Sequence, residues 1–254
     1  MSELELIGAS PSNYVWTCRI ALAEKGVPYK HVSAKPHTAE VDAIHPFGKI
    51  PVMRHGAVEI FESRAICAYI DSVFPGPKLV PADPVEAAQV EQWISVVNTH
   101  IDPVCLRQYL RGYVFPGTPD GSPDRALIDA AVPKMEGQFA VMDRAVAKTG
   151  HLVGDTFTLA DMNFLPILFY MGTRPESTVL LQRSSALKHY LDRHMERNSV
   201  QETFPTFMPG QAVQAERAAS AVAASAMDQA ARSACTACPG MKVGNVSCTL
   251  FRSM

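Results

Sequence analysis

Ser12 stands directly before a run, Asn13 to Lys25, that reads as a helix stopped by Gly26 and Pro28. A hydroxyl in that place has two uses. It can accept from the first-turn amides as an N-cap, or it can donate to an anion held at the positive end of the helix. From spacing alone the cap is the plainer description, and Ser10, Asn13 and Tyr14 are neighbouring donors. Glu62-Ser63 repeats the arrangement, closing one strand-like run and opening a helical one. The amide and hydroxyl of Ser63 can bind a second anion there while Glu62 meets a cation; capping by Ser63 beside an exposed Glu62 is the alternative.

Other residues carry weaker signals. Pro51 heads a strand, a place where its missing donor is tolerated. Tyr109 and Tyr113, with Arg107 and Arg111, share a helical stretch; aromatic residues four apart describe a core face as readily as a pocket. Thr158 and Asp161 fit the N-cap and N3 places of a capping box, with Phe157 and Met162 as its hydrophobic staple, so Asp161 is assigned to folding. Cys18, Cys67 and Cys105 lie singly in apolar stretches and are expected to be reduced and structural. Cys235 and Cys238 form Cys-x-x-Cys without a neighbouring strand or second ligand pair, and no metal or redox role is assigned to them.

The elements that must position these residues change character near residue 80. Before it the signals run strand (Leu4 to Ile7), helix (Ser12 to Lys25), strand (Tyr29 to Val32), weak helix (Thr38 to Ile44), a hairpin (Pro51 to Arg54 and Val58 to Phe61) and a helix from Ser63 to Phe74. That order, βαβ then ββα, predicts a thioredoxin-like layer with a parallel first pair. Beyond Pro75-Gly76-Pro77 and the linker to Pro84 only helical stretches follow, at about 85–112, 124–148, 158–172 and 183–197. The expected organisation is α/β plus all-α: a thioredoxin-like domain over 1–80, a helical domain over 85–209, and an Ala/Ser-rich tail over 210–254 with too few large apolar residues for a core.

The 254 residues are 47% hydrophobic and 19% charged, with a formal net charge of −2, which suits a folded core. No basic cluster marks a nucleic-acid or anionic-membrane partner. No apolar run reaches the ~18 residues of a membrane span, and the acidic start Met1-Ser2-Glu3-Leu4-Glu5 is unlike a signal peptide, so a cytoplasmic protein is expected.

Three segments together carry a resemblance: Ser12 before Arg19-Ile20-Ala21-Leu22-Ala23-Glu24-Lys25-Gly26-Val27-Pro28, then His45-Pro46-Phe47-Gly48-Lys49-Ile50-Pro51-Val52, then Glu62-Ser63-Arg64-Ala65-Ile66. From about residue 4 to 205 the chain resembles the cytosolic glutathione transferase superfamily, and is similar to its plant phi-type and related bacterial members. It departs at Thr17, where many relatives carry arginine. The resemblance implies glutathione as co-substrate, a small hydrophobic electrophile, no metal and a homodimer. It gives Ser12 the contact to the glutathione sulfur, with Asn13 beside it. It implies a cis Ile50-Pro51 bond, with the Ile50 backbone facing the cysteinyl segment, and it sets Glu62 and Ser63 on the γ-glutamyl end. Lys49, with Lys35 and His37 as further candidates, would neutralise the glycine carboxylate. Tyr14, Tyr109 and Tyr113 are the candidates beside the second substrate, and Trp93 is assigned to core or subunit interface.

A free thiol with a pKa of about 8.5 is only slightly ionised at neutral pH. Lowering it by about 2 units takes ~2.7 kcal/mol of selective stabilisation of the anion, within reach of a hydroxyl donor plus a helix terminus. Two other readings of the fold are weighed. A maleylacetoacetate-isomerase-like enzyme lacks its Ser-Ser-Cys signature here, and a non-catalytic glutathione-binding or regulatory protein has no need of Ser12. A disulfide reductase would need a cysteine at the helix start, and Cys18 lies about two turns in.

Overall fold

The structure, a computed structural model, describes residues 3–206. The expected tail and its Cys235 and Cys238 lie outside the described residues. Four strands, β1 (Leu4–Ile7), β2 (Lys30–Val32), β3 (Val52–His55) and β4 (Val58–Phe61), form one sheet in the order β2-β1-β3-β4. β1 runs parallel to β2 across helix α1 (Asn13–Glu24) and antiparallel to β3, which pairs antiparallel with β4. The thioredoxin-like layer predicted from the element order is therefore present. Ile7 pairs with Val32 on one side and Val52 on the other, so the chain leaving β1 passes beside Ile50-Pro51. Gly8 makes that passage possible, because a Cβ there would lie 2.6 Å from Val15 and 3.2 Å from the Ile50 side chain.

One face of the sheet is covered by α1 and α3 (Ser63–Val73), which bury Val15, Trp16, Ile20, Ile66 and Ile70 completely. The other face holds a smaller cluster, Ile7, Ala34, Val41 and Val52, under α2 (Ala39–Asp42). The linker is tied down by a buried ion pair. Lys25 Nζ meets Asp71 Oδ1 at 3.1 Å and donates to the Pro77 carbonyl at 3.0 Å, while Asp71 accepts from the amides of Leu79 and Val80. A buried charge of each sign is tolerable because both are paired and hydrogen-bonded.

The helical half begins at α4 (Pro84–Val96), capped by Asp83, which accepts from Val85 and Glu86 at 3.0 Å. The run continues to residue 114 through a π-helical turn at Val97–Ile101, α5 (Asp102–Val104), a second π segment at Cys105–Leu110 and α6 (Arg111–Val114). Pro103 accounts for the first widening, since it offers no N–H and its ring would crowd the Thr99 carbonyl in a regular α-helix; the Asp102 amide reaches back to Val97 instead. Then come α7 (Arg125–Val146), α8 (Leu159–Met171), α9 (Pro175–Arg183), α10 (Ser185–Met195) and α11 (Asn198–Glu202). α9 lies between the helical stretches expected at 158–172 and 183–197, and Pro175 sits in its first turn, where proline is compatible with helix.

α8 is buried along its whole length and lies against α1. Trp16 meets Phe169 edge-on at 5.4 Å and donates to Thr203 Oγ1 at 3.2 Å. Thr17, where many relatives carry arginine, donates to the Met162 carbonyl at 3.2 Å and so belongs to the contact between the halves. Asp161 is fully buried and accepts from the Thr158 amide at 2.9 Å, the Leu152 amide at 2.9 Å, the Thr158 hydroxyl at 3.1 Å and Tyr190 at 3.1 Å. The folding role expected for this capping box agrees with those contacts. Trp93 is half-buried against the core.

Candidate active site

A cleft of about 1100 Å³ opens between the sheet domain and the helices, and it gathers most of the residues singled out in the sequence. Ser12, Asn13, Tyr14, Lys49, Ile50, Pro51, Glu62 and Ser63 line one side. Ser12 is the N-cap of α1, its hydroxyl accepting from the Val15 amide at 3.5 Å. That contact is long and uses only a lone pair, so the O–H remains available to donate. The first-turn amides of α1 point the same way, and the Asn13 side-chain nitrogen is buried there without a protein partner. Ser10 is engaged elsewhere, accepting from Arg19 at 3.0 Å and from the Thr206 amide at 2.9 Å. The Tyr14 phenol lies between Asp102 and Arg107, and burial, reinforced by Asp102, pushes its pKa well up. Tyr14 therefore stays protonated.

The Ile50-Pro51 bond is cis, as the resemblance implies. The β3 ladder begins only at Val52, so the Ile50 main chain stands outside it at the cleft wall. Glu62 has φ 70° and ψ 118°, a region unfavourable for any residue with a Cβ, at the junction of β4 and α3. Such backbone costs of order 1–3 kcal/mol and is concentrated at functional sites. The turn holds the Ser63 amide and hydroxyl at the start of α3 and brings the Glu62 carboxylate to the cleft. His45, a cleft residue that sequence reasoning did not single out, is buried beneath it with Nε2 3.6 Å from Glu62 Oε1. The signal was inside the quoted segment, in a histidine preceding Pro46-Phe47-Gly48.

Three expected site residues fall outside the cleft wall. Lys35 is exposed and does not line it, although Pro36 does. His37 is exposed, with φ 61°, and lies 3.5 Å from Asp42; Gly48 beside it has φ 60°, a backbone conformation that favours glycine. Tyr109 is fully buried, donating to Glu176 at 2.9 Å and accepting from the Ser177 amide at 3.1 Å, while Tyr113 one turn later does reach the cleft. Their rings meet edge-on at 5.5 Å and both hydroxyls donate to the same Glu176 oxygen, so the two share a helix face and differ in depth, Tyr109 lying behind the cleft wall. The helical wall also brings Leu106, Leu110, Arg111, Phe169, Tyr170 and Arg174. Tyr170 donates to the Pro11 carbonyl at 2.6 Å and so fixes the loop leading to Ser12.

Among the described residues one group of metal-capable side chains exists, His151, Asp161 and His194, within 4.8 Å of one another. The Asp161 oxygens already serve four donors, so the group belongs to the helix cap. The cysteines Cys18, Cys67 and Cys105 are free and buried, and burial pushes the Cys18 thiol up, as does the adjoining Cys67. No helix among the described residues is long and apolar enough to cross a membrane.

The fold and the cleft define a thioredoxin-like domain joined to a helical domain, with the openings of α1 and α3 lining the cleft between them. Comparison with known proteins agrees with that class: residues 6–78 match the family model for the glutathione S-transferase N-terminal domain and residues 100–198 that for the C-terminal domain. Glutathione S-transferase 3 of Zea mays is 30% identical over 210 residues, covering 80% of this chain and 94% of that protein. Glutathione S-transferase I from maize, solved with an atrazine glutathione conjugate, superposes with a TM-score of 0.69 at 27% identity, covering 80% of this chain and 96% of that one. A glutathione S-transferase from Methylobacterium radiotolerans, solved with glutathione sulfonate, superposes with a TM-score of 0.68 at 26% identity over 82% of this chain and 97% of that one. The chain belongs to the glutathione S-transferase family.

Proposed function

We propose that this protein is a cytoplasmic, homodimeric glutathione transferase in which Ser12 holds the glutathione thiolate for attack on a small electrophile. The observation that carries the reading is the Ser12 hydroxyl at the opening of α1, lining the same cleft as the Glu62-Ser63 turn and Ile50-Pro51. The thiolate accepts the Ser12 O–H, and the unpaired amides of the first turn add a partial positive charge. Together these supply about the 2.7 kcal/mol that a two-unit fall in thiol pKa requires. Serine donates without ionising, so no base is needed beside it. The γ-glutamyl carboxylate takes the Ser63 amide and hydroxyl, its ammonium group takes Glu62, and Lys49 faces the glycine carboxylate. Chemistry then consists of sulfur–carbon bond formation, departure of the leaving group with its electron pair, and release of the thiol proton to solvent.

Conjugation of 1-chloro-2,4-dinitrobenzene tests this. Wild-type protein is expected to turn it over, and Ser12→Ala to lower kcat/KM by about 10- to 100-fold, the worth of a hydrogen bond to a charged group. Equal rates in the two proteins, or no turnover in either despite glutathione binding, would remove Ser12 from this role.

A further inference from the structure

The hydroxyl of Tyr113 is fixed from behind the cleft wall. It donates to Glu176 Oε2 at 2.5 Å and accepts from Arg125 at 3.3 Å, and Arg125 also donates to Glu176 Oε1 at 2.7 Å. Glu176 Oε2 takes the Tyr109 hydroxyl at 2.9 Å as well. One carboxylate on α9 thereby ties together the second π segment, α6 and α7, which build and back the helical side of the cleft. Burial alone would raise the Glu176 pKa; the bonds from Tyr113 and Arg125 outweigh it and hold the carboxyl at about 2, so the anion is present at neutral pH. The Tyr113 ring is confined too, with Tyr109 edge-on at 5.5 Å and the Arg174 guanidinium 5.2 Å from its centre. Tyr113 lines the cleft together with Leu106, Leu110 and Phe169, whereas Glu176 does not reach it. A hydroxyl has one proton to give, and this one is given to Glu176, so what Tyr113 offers a substrate is its ring.

Resting on the glutathione transferase reading, we infer that Glu176 is a positioning residue for the second substrate: it holds Tyr113 by the hydroxyl, and the apolar body of the electrophile packs against the ring so fixed. Glu176 touches neither substrate and acts only through Tyr113. A side chain immobilised before binding loses little freedom when the substrate arrives, so the tether favours affinity for the electrophile and leaves the tripeptide alone.

A double-mutant cycle provides the test, read by calorimetric binding of glutathione and of S-(2,4-dinitrophenyl)glutathione to the full chain. Tyr113→Phe, which keeps the ring and removes its tether, and Glu176→Ala are each expected to weaken the dinitrophenyl conjugate about three- to tenfold while glutathione stays within about twofold. The two substitutions together should weaken the conjugate no more than either alone, because both remove the same tether. Glu176→Gln, which keeps an acceptor, should recover part of the affinity. If Glu176→Ala does not fold, Glu176→Gln takes its place in the cycle, with a smaller but equally non-additive effect. A Glu176 that merely supports the fold would weaken both ligands alike, or add its full effect to that of Tyr113→Phe. Either result overturns the inference, as does an unchanged conjugate affinity in the Glu176 variants. Turnover of 1-chloro-2,4-dinitrobenzene by wild type reports separately on the transferase reading: its absence beside a non-additive cycle would remove the chemistry and leave Glu176 in place, and turnover beside an additive cycle would do the reverse.

Discussion

His45 and Glu62 face one another across 3.6 Å, and the ring's tautomer is set by its other nitrogen. Nδ1 accepts the Phe47 amide at 3.0 Å, so in the neutral ring the hydrogen sits on Nε2, towards Glu62 Oε1. The contact braces a residue whose backbone, at φ 70°, would otherwise relax. His45→Ala is therefore expected to loosen the γ-glutamyl end, raising KM for glutathione about three- to tenfold, roughly 1 kcal/mol for the buried ring and its polar contact beneath Glu62. kcat at saturating glutathione should fall less, and His45→Gln should restore part of the affinity. Initial rates over a glutathione series give the split; a fall in kcat at constant KM would place His45 with the sulfur instead.

Asp161 collects four donors in the core of the helical half, none of them in the cleft. Replacing the carboxylate by alanine leaves those donors buried and unsatisfied, costing on the order of 3 kcal/mol. In a chain of this size that lowers Tm by about 6–12 °C. Turnover per folded molecule of Asp161→Ala should stay close to wild type, as measured by thermal unfolding and by rates normalised to the folded fraction. An activity loss without a Tm change would give Asp161 a direct part in the reaction.

Cys18 is fully buried, 3.9 Å from the Cys67 sulfur, and burial raises its pKa. The thiolate is the reacting form, so a thiol in that setting is slow. The protein is accordingly expected to leave glutathione mixed disulfides unreduced. Efficient reduction that disappears in Cys18→Ser would contradict this.

The sheet domain was legible because its elements obey local rules: Leu4 to Ile7 ends at Gly8, α1 at Gly26 and Pro28, and α3 before Pro75. Ser12, Pro51 and Glu62-Ser63 stood out for the same reason, since each sits at an element boundary with position-specific demands, while the parts expected of Ser12 and Ile50 in binding glutathione came from the family resemblance. The far wall was not legible. Tyr109 and Tyr113 share a face, as their spacing of four says, but which of them lines the cleft depends on how deep each lies in the tertiary packing, and spacing carries no signal for depth. His45 was passed over because its role is tertiary: nothing local says that a histidine in a loop will lie under Glu62. Lys35 and His37 show the converse, basic residues close in sequence to the cleft whose side chains do not line it.

His194 offers the clearest dependence on pH. It is buried, its Nε2 donates to the Gly150 carbonyl at 2.9 Å, and its Nδ1 is buried without a partner. Burial lowers its pKa from 6.5 to about 4, and the neighbouring His151, Arg193 and Arg197 push in the same direction while the Gly150 bond opposes them. The unfolded chain takes up a proton near pH 6.5, whereas the folded chain resists until about pH 4. Stability present above the unfolded value is thus lost progressively as pH falls through that window, by about 3 kcal/mol at its lower end. Carboxylates contribute below pH 5 as well, so the informative quantity is a difference. Urea denaturation of wild type and His194→Gln at pH 7.5, 6.0, 5.0 and 4.2 should give a wild-type curve that drops more steeply between 6.5 and 4, the two converging as acid is added. Parallel curves would mean that His194 titrates normally in the folded protein and that its charged form is relieved by an acceptor or water at Nδ1.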